Sequence, residues 1–197
     1  MRRLILSIAV MAGIGAVAAA QPRQAGLRIG ATGIDAAYQH NTTKNQFIEG
    51  NVGIDFGYNA NSKAGFKATA IYNFIWARPA WTEEGTWALY AGPGLSLGAV
   101  DDMAVINGAD GLAIGGYIDS GFMVSLVAQV GLEYNFKFPL SLSVDIRPYF
   151  GMHINDGKVL NGDPIIDTDS GNYRSTAGFY DNGLLGFSPS ISLRYRF

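Results

Sequence analysis

The feature that most constrains this chain is a repeated alternation of apolar and polar residues with a period of two. Between residues 122 and 134 every even position is apolar, while the odd positions include Ser125, Gln129 and Glu133. Successive side chains of a β-strand point to opposite faces of a sheet, so this pattern predicts a strand with one apolar face. Comparable segments cover residues 48–58, 66–76, 87–98, 140–150 and 185–197, with a weaker one over 27–38.

The first twenty residues have the layout of a secretory signal peptide. Two arginines at positions 2 and 3 precede an apolar run over 4–17, which ends in three alanines before Gln21. After Gln21 no run approaches the roughly 18 apolar residues that a transmembrane helix needs. We therefore expect a signal peptide at 1–20 and one exported domain at 21–197, which could enter a membrane only as a closed barrel.

Composition narrows the classes of function. Only 15% of the 197 residues are charged, the formal net charge is −2, and 48% are hydrophobic, so no basic surface for nucleic acid is expected. The chain has no cysteine and two histidines, which excludes a disulfide framework and a thiolate metal site. We expect neither a cofactor nor a bound metal.

The spacing of aromatic residues favours a barrel whose apolar face points outward. Phe122 and Tyr134 lie twelve residues apart on one face, as do Phe138 and Phe150. Twelve residues at about 3.3 Å each span about 40 Å, and a strand tilt of about 45° reduces the height to roughly 28 Å. That height suits a hydrocarbon band of about 25 Å bordered by aromatic residues. A soluble barrel or sandwich, with its apolar face inward, is the alternative.

The opposite, polar faces of the strands carry charges of both signs. In a narrow barrel these side chains would face the lumen, where buried charge is tolerated only when it is paired. We expect them to form a self-neutralising network that fills the interior. The network is predicted to comprise Glu49, Asp55, Lys67, Glu133, Asp145, Arg147, Arg194 and Arg196.

The C-terminal segment carries a family resemblance. Its outward row of Ile191, Leu193, Tyr195 and Phe197 ends on a phenylalanine and resembles the assembly signal of bacterial outer-membrane barrels. With the segment GLEYNFKFPLSLSVDIRPYFG, the chain resembles small barrels of the outer membrane protein A and outer membrane protein X type. The resemblance implies a monomeric eight-stranded antiparallel up-and-down transmembrane barrel in the outer membrane. Its partners would be outer-membrane lipid and the barrel assembly machinery, which would engage Tyr195 and Phe197.

The predicted strand count falls one short of that pattern. Seven strands are apparent, with periplasmic turns at 79–86 and 136–139 and long external loops at 100–120 and 154–183. An even count is expected of a bacterial barrel. The missing strand would arise from a break at Gly33, where the alternation changes parity, or lie within 101–120 or 174–184.

The resemblance leaves three functions open. We expect a non-enzymatic envelope or surface protein, because eight-stranded barrels are normally filled by side chains. One alternative is a small-solute pore. The other is a lipid A-modifying enzyme, for which the palmitoyltransferase type of barrel implies His, Asp and Ser at the outer rim and prolines that interrupt strand pairing. The matching residues are His153, Asp119 and Ser120, with Pro93, Pro148 and Pro189 in the strands.

Overall fold

The computed structural model describes residues 22–57, 63–107, 113–155, 158–159, 165–167, 172–175 and 187–197. These residues form eleven β-strands of a single antiparallel sheet. Among them, no helix has the length and hydropathy that crossing a membrane requires.

Eight of the strands close into a barrel. They are β1 (Arg23–Gly30), β2 (Gly33–Thr43), β3 (Gln46–Asp55), β4 (Gly65–Ala77), β5 (Gly85–Asn107), β6 (Ala113–Phe136), β7 (Leu140–Asn155) and β11 (Phe187–Arg196). Each pairs antiparallel with the next of these eight along the chain, so that β7 pairs with β11, and β1 pairs with β11 to close the wall. The predicted all-β, antiparallel up-and-down barrel of eight strands is confirmed.

Three short strands follow β7 in the chain. They are β8 (Lys158–Val159), β9 (Ile165–Asp167) and β10 (Asn172–Ser175). β8 pairs with the end of β7, and β10 pairs with residues 105–107 of β5 and with β9. We call this end of the barrel the upper rim, and the end that holds Arg23 and Phe197 the lower rim.

The strand missing from the sequence prediction comes from the break at Gly33. The segment 27–38, predicted as one weak strand, belongs to two strands, and the turn between them passes through Ala31 and Thr32. Ile29 lies opposite Ile34, so the parity change marks a tight hairpin. The first strand consequently starts at the lower rim, beside the C-terminus.

The predicted loop over 100–120 is wrong in extent. β5 and β6 continue to pair from Val100 and Gly121 up to Asn107 and Ala113. The alternation fails at this point because Val100 and Asp101, although adjacent, are both buried. The second predicted loop, 154–183, contains β8, β9 and β10, and residues 176–186 lie outside those the structure describes.

The burial pattern places polar residues inside and apolar residues outside. Along β6, Gln129 is 0% exposed whereas Leu126 is 60% exposed. The same contrast holds on β7, where Arg147 is fully buried and Ile146 is half exposed. A soluble barrel has the opposite arrangement, with its apolar side chains in the core.

Part of the interior is nevertheless apolar. A buried cluster consists of Ile71, Val100, Met123, Val127 and Tyr149. Below it, Tyr90 lies directly opposite Gly131, and a Cβ at residue 131 would collide with the tyrosine ring. Glycine at this position therefore lets the ring of Tyr90 lie across β6 and fill the lumen.

Candidate functional site

A chain of ion pairs crosses the lumen of the barrel. It is centred on Glu49 of β3, whose carboxylate accepts hydrogen bonds from Arg147 Nη2 at 2.5 Å and Arg194 Nη1 at 3.1 Å. All three side chains are fully buried. Because β3 is not adjacent to β7 or β11 in the sheet, these bonds join opposite walls of the barrel.

The ion pairs extend from both arginines. Arg194 Nη2 also donates to Glu133 at 3.0 Å and to the hydroxyl of Ser143 at 2.7 Å. The Nε of Arg147 lies 3.1 Å from Asp145 Oδ1. Asp145 in turn contacts a residue of β1, so the ion pairs continue to that strand.

Arg28 forms the far end of the network. Its Nη2 lies 3.3 Å from Asp145 Oδ1, and its Nη1 donates to Asp35 at 2.8 Å. The connected group thus contains three guanidinium groups and four carboxylates. We call it the lumen network; its members are Arg28, Asp35, Glu49, Glu133, Asp145, Arg147 and Arg194.

A separate ion pair lies nearer the upper rim. The ammonium of Lys67 contacts the carboxylate of Asp55, which also accepts a hydrogen bond from the Thr32 hydroxyl at 3.1 Å. The same ammonium lies 5.2 Å from the centre of the Tyr149 ring. Both charged side chains are at most 5% exposed.

The structure brings together five of the eight charged residues predicted for the lumen. Glu49, Glu133, Asp145, Arg147 and Arg194 belong to the lumen network. The predicted pair Asp55 and Lys67 is buried but forms its own contact.

The eighth predicted residue, Arg196, lies at the lower rim. It donates to the backbone carbonyls of Phe136 and Phe138, the second at 2.7 Å, and so ties β11 to the turn between β6 and β7.

Two members of the lumen network were not predicted. Arg28 and Asp35 lie directly opposite one another on β1 and β2. The sequence interpretation treated both as part of one strand, and the parity change hid their common face. A hairpin assigned around Ala31 and Thr32 would have revealed the pair.

His153 and Ser120, two of the three candidate catalytic residues, have different hydrogen-bond partners. His153 is buried, with Nε2 2.9 Å from the carbonyl oxygen of Val100, whereas Ser120 donates to Asp101 at 2.6 Å. His153 lies opposite Met123, three residues along β6 from Ser120. The side chain of Asp119 is not among those that the structure describes. Among those that are described, no three or more His, Cys, Asp or Glu side chains are placed to hold a metal.

Two of the three prolines interrupt the pairing between neighbouring strands. Pairing between β4 and β5 skips the positions around Pro93, and pairing between β6 and β7 skips those around Pro148. Pro189 stays in register with Ile146, and its carbonyl accepts a hydrogen bond from Ala31 at 3.0 Å. The two interruptions follow from the missing N–H of proline.

The outer wall carries aromatic residues near both rims. At the lower rim, Trp81, Trp87, Tyr134, Phe136 and Phe138 form a continuous series with ring centres 4.6–5.4 Å apart. Towards the upper rim, the exposed aromatic side chains that the structure describes are phenylalanines. These include Phe56, Phe66, Phe122 and Phe150.

The C-terminal residues lie on the outer wall of the lower rim. Tyr195 and Phe197 are 54% and 63% exposed. Phe197 donates its N–H to the carbonyl of Arg23 at 2.9 Å, so the last residue pairs with β1. The aromatic row therefore faces away from the lumen.

No family model, curated protein or solved structure matches the chain. The fold and the geometry of the lumen therefore carry the functional argument, and the likeness to small outer-membrane barrels rests on the residues quoted for it.

Proposed function

We propose that this chain is an integral outer-membrane barrel that acts as a non-enzymatic envelope or surface protein. The observation that carries the proposal is the inverted burial pattern, with ion pairs inside and exposed apolar side chains outside. Exposing this much apolar surface to water would favour aggregation, whereas a hydrocarbon phase satisfies it. In this proposal residues 1–20 are removed on export.

The height of the outer wall supports a membrane location. On β6 the aromatics Phe122 and Tyr134 border an apolar row of Val124, Leu126, Ala128, Val130 and Leu132. Both rims carry aromatic side chains, as is typical of transmembrane barrels at the two interfaces. In such a membrane the lower rim would face the periplasm, and Tyr195 and Phe197 would be available to the assembly machinery.

The filled lumen favours a structural role over conduction. Contacts between Glu49, Arg147 and Arg194 cross the middle of the barrel, and Tyr90 and Phe47 pack edge to face with ring centres 5.1 Å apart. An ion that passed this level would have to break charge-assisted hydrogen bonds. Recognition of another macromolecule would then fall to the segments at the upper rim.

The proposal predicts recovery of the expressed protein in the outer-membrane fraction of a density gradient. The folded barrel should also migrate faster than the boiled chain on a detergent gel, because a closed sheet has no free edge from which to unfold. Recovery in the soluble or inner-membrane fraction would contradict the membrane proposal. Equal mobility before and after boiling would contradict a stable barrel.

We further expect no discrete conductance steps from the purified protein in a planar lipid bilayer, because the lumen network blocks the passage. A deletion strain should retain its lipid A acyl chain pattern by mass spectrometry. Regular open states would instead identify a pore, and a changed acyl count would identify a lipid A enzyme.

A further inference from the structure

A methionine and a histidine lie side by side in the upper half of the lumen. Met123 of β6 is directly opposite His153 of β7, and both are at most 1% exposed. Directly opposed residues of an antiparallel pair have Cβ atoms about 4.5–5.5 Å apart. A thioether and an imidazole are therefore held next to each other inside the wall.

The hydrogen bond of His153 determines which ring nitrogen is free to act as a ligand. Its Nε2 lies 2.9 Å from the carbonyl oxygen of Val100, and a carbonyl can only accept, so Nε2 carries the proton. Nδ1 of the neutral ring then bears a lone pair, and this buried atom has no hydrogen-bond partner. Histidine ligands of metals are commonly oriented in this way, by donation from the other nitrogen to a carbonyl.

The other donor is the thioether of Met123. Its sulfur accepts a hydrogen bond from the Ser125 hydroxyl at 3.0 Å, which orients the side chain. Thioether and imidazole together suit soft ions such as Cu(I), whereas Mg²⁺ and Ca²⁺ prefer carboxylate and carbonyl oxygen.

The cation that lies in the same row of the sheet as Met123 is already paired with a carboxylate. On β5 the residue opposite Met123 is Gly98, which has no side chain, and the next residue in this row is Lys67. The charge of Lys67 is neutralised by Asp55. The carboxylate of Asp101 lies three residues farther towards the upper rim.

The buried charges of the described residues also favour a bound cation, because six are acidic and four are basic. They are Asp35, Glu49, Asp55, Asp101, Glu133 and Asp145, with Arg28, Lys67, Arg147 and Arg194.

We propose that Met123 Sδ and His153 Nδ1 form a binding site for a soft monovalent cation of the Cu(I) type. The site lies outside the lumen network, and of the three candidate catalytic residues it uses only His153. It gives the barrel a metal-binding property that does not depend on its location in the cell.

Silver(I) is the probe, because it shares the ligand preference of Cu(I) and needs no reductant. The chain has no cysteine, so no thiolate competes for the ion. In the folded barrel, labelled with ¹³C at the methionine methyl groups, one equivalent of Ag(I) should shift the Met123 resonance. The signals of Met103 and Met152 should stay in place. A shift confined to Met103 or Met152, or no shift at all, would overturn the proposal.

Variants test the two ligands separately by calorimetric titration with Ag(I). Met123→Leu preserves the side-chain volume and His153→Gln preserves polarity; each should weaken binding at least tenfold. Two control variants should bind Ag(I) as tightly as the unmodified protein. Met152→Leu changes the outward-facing neighbour of His153, and His40→Gln changes the other histidine of the chain. The mobility shift on heating checks that each variant is folded. Unchanged affinity in folded Met123→Leu would show that Met123 only fills the apolar cluster.

Discussion

Replacing Arg147 by alanine is expected to destabilise the barrel by about 3–5 kcal/mol, the usual cost of breaking one side of a buried ion pair. Arg147 contacts Glu49 and Asp145, and all three side chains are 0% exposed. Without the guanidinium, the connected group retains four carboxylates and only two arginines. The folded band on a detergent gel should therefore convert to the unfolded band at a lower temperature, and the urea midpoint should fall.

Two other cation deletions serve as controls for the charge itself. Lys137→Ala breaks the ion pair between Lys137 and Glu84, whose side chains are 64% and 80% exposed. We therefore expect the free energy of unfolding to change by less than about 1 kcal/mol. Arg196→Ala removes hydrogen bonds to backbone carbonyls at the rim and leaves the lumen network intact. If Arg147→Ala unfolded at the same urea concentration as Lys137→Ala, the network would not contribute to stability.

An arginine at residue 146 is expected to destabilise the barrel in phospholipid vesicles by about 2–4 kcal/mol, the range for a basic residue near the bilayer midplane. Ile146 is half exposed on the outer wall, between the aromatic residues of the two rims. This expectation depends on the proposed membrane location. The free energy of unfolding is measured by urea titration in vesicles, with tryptophan fluorescence as the signal.

The matched control places the same charge at a different depth. Phe138→Arg alters an exposed residue in the turn at the lower rim, where the cost should be at most about 1 kcal/mol. Ile146→Leu controls for the shape of the side chain. Equal stability of Ile146→Arg and Phe138→Arg would refute a hydrocarbon environment for this part of the wall.

The strands that could be predicted are those whose alternation runs unbroken for a full crossing. β6 and β7 have such patterns, and a short turn at residues 137–139 joins them. β1 and β2 were merged because β1 has only eight residues and its turn, Ala31-Thr32, lacks the Asn-Gly or Asp-Gly pair that marks a tight hairpin. The upper parts of β5 and β6 were missed because small and acidic residues interrupt the pattern.

The sequence predicts which charged residues face the lumen, but it does not predict which of them contact one another. Alternation alone places Glu49, Arg147 and Arg194 on inward faces. The contacts between them depend on which strands face one another across the lumen, and this follows from the tilt and stagger of the whole barrel. The partner of Nε2 in His153 is equally a product of the three-dimensional register, since Val100 lies 53 residues away.

The ion pairs across the lumen also constrain the order in which the chain can fold. Glu49 lies 98 residues from Arg147 and 145 residues from Arg194, and Arg28 lies 117 residues from Asp145. A sheet that has paired only its consecutive hairpins can form the contact of Arg28 with Asp35, but it lacks these long-range contacts, and loop closure must precede any gain from them. Partly assembled forms therefore lack the stabilisation of the finished cylinder. Joining β1 to β11 becomes the step at which charges of opposite walls pair, which makes closure of the wall and completion of the lumen network one cooperative event.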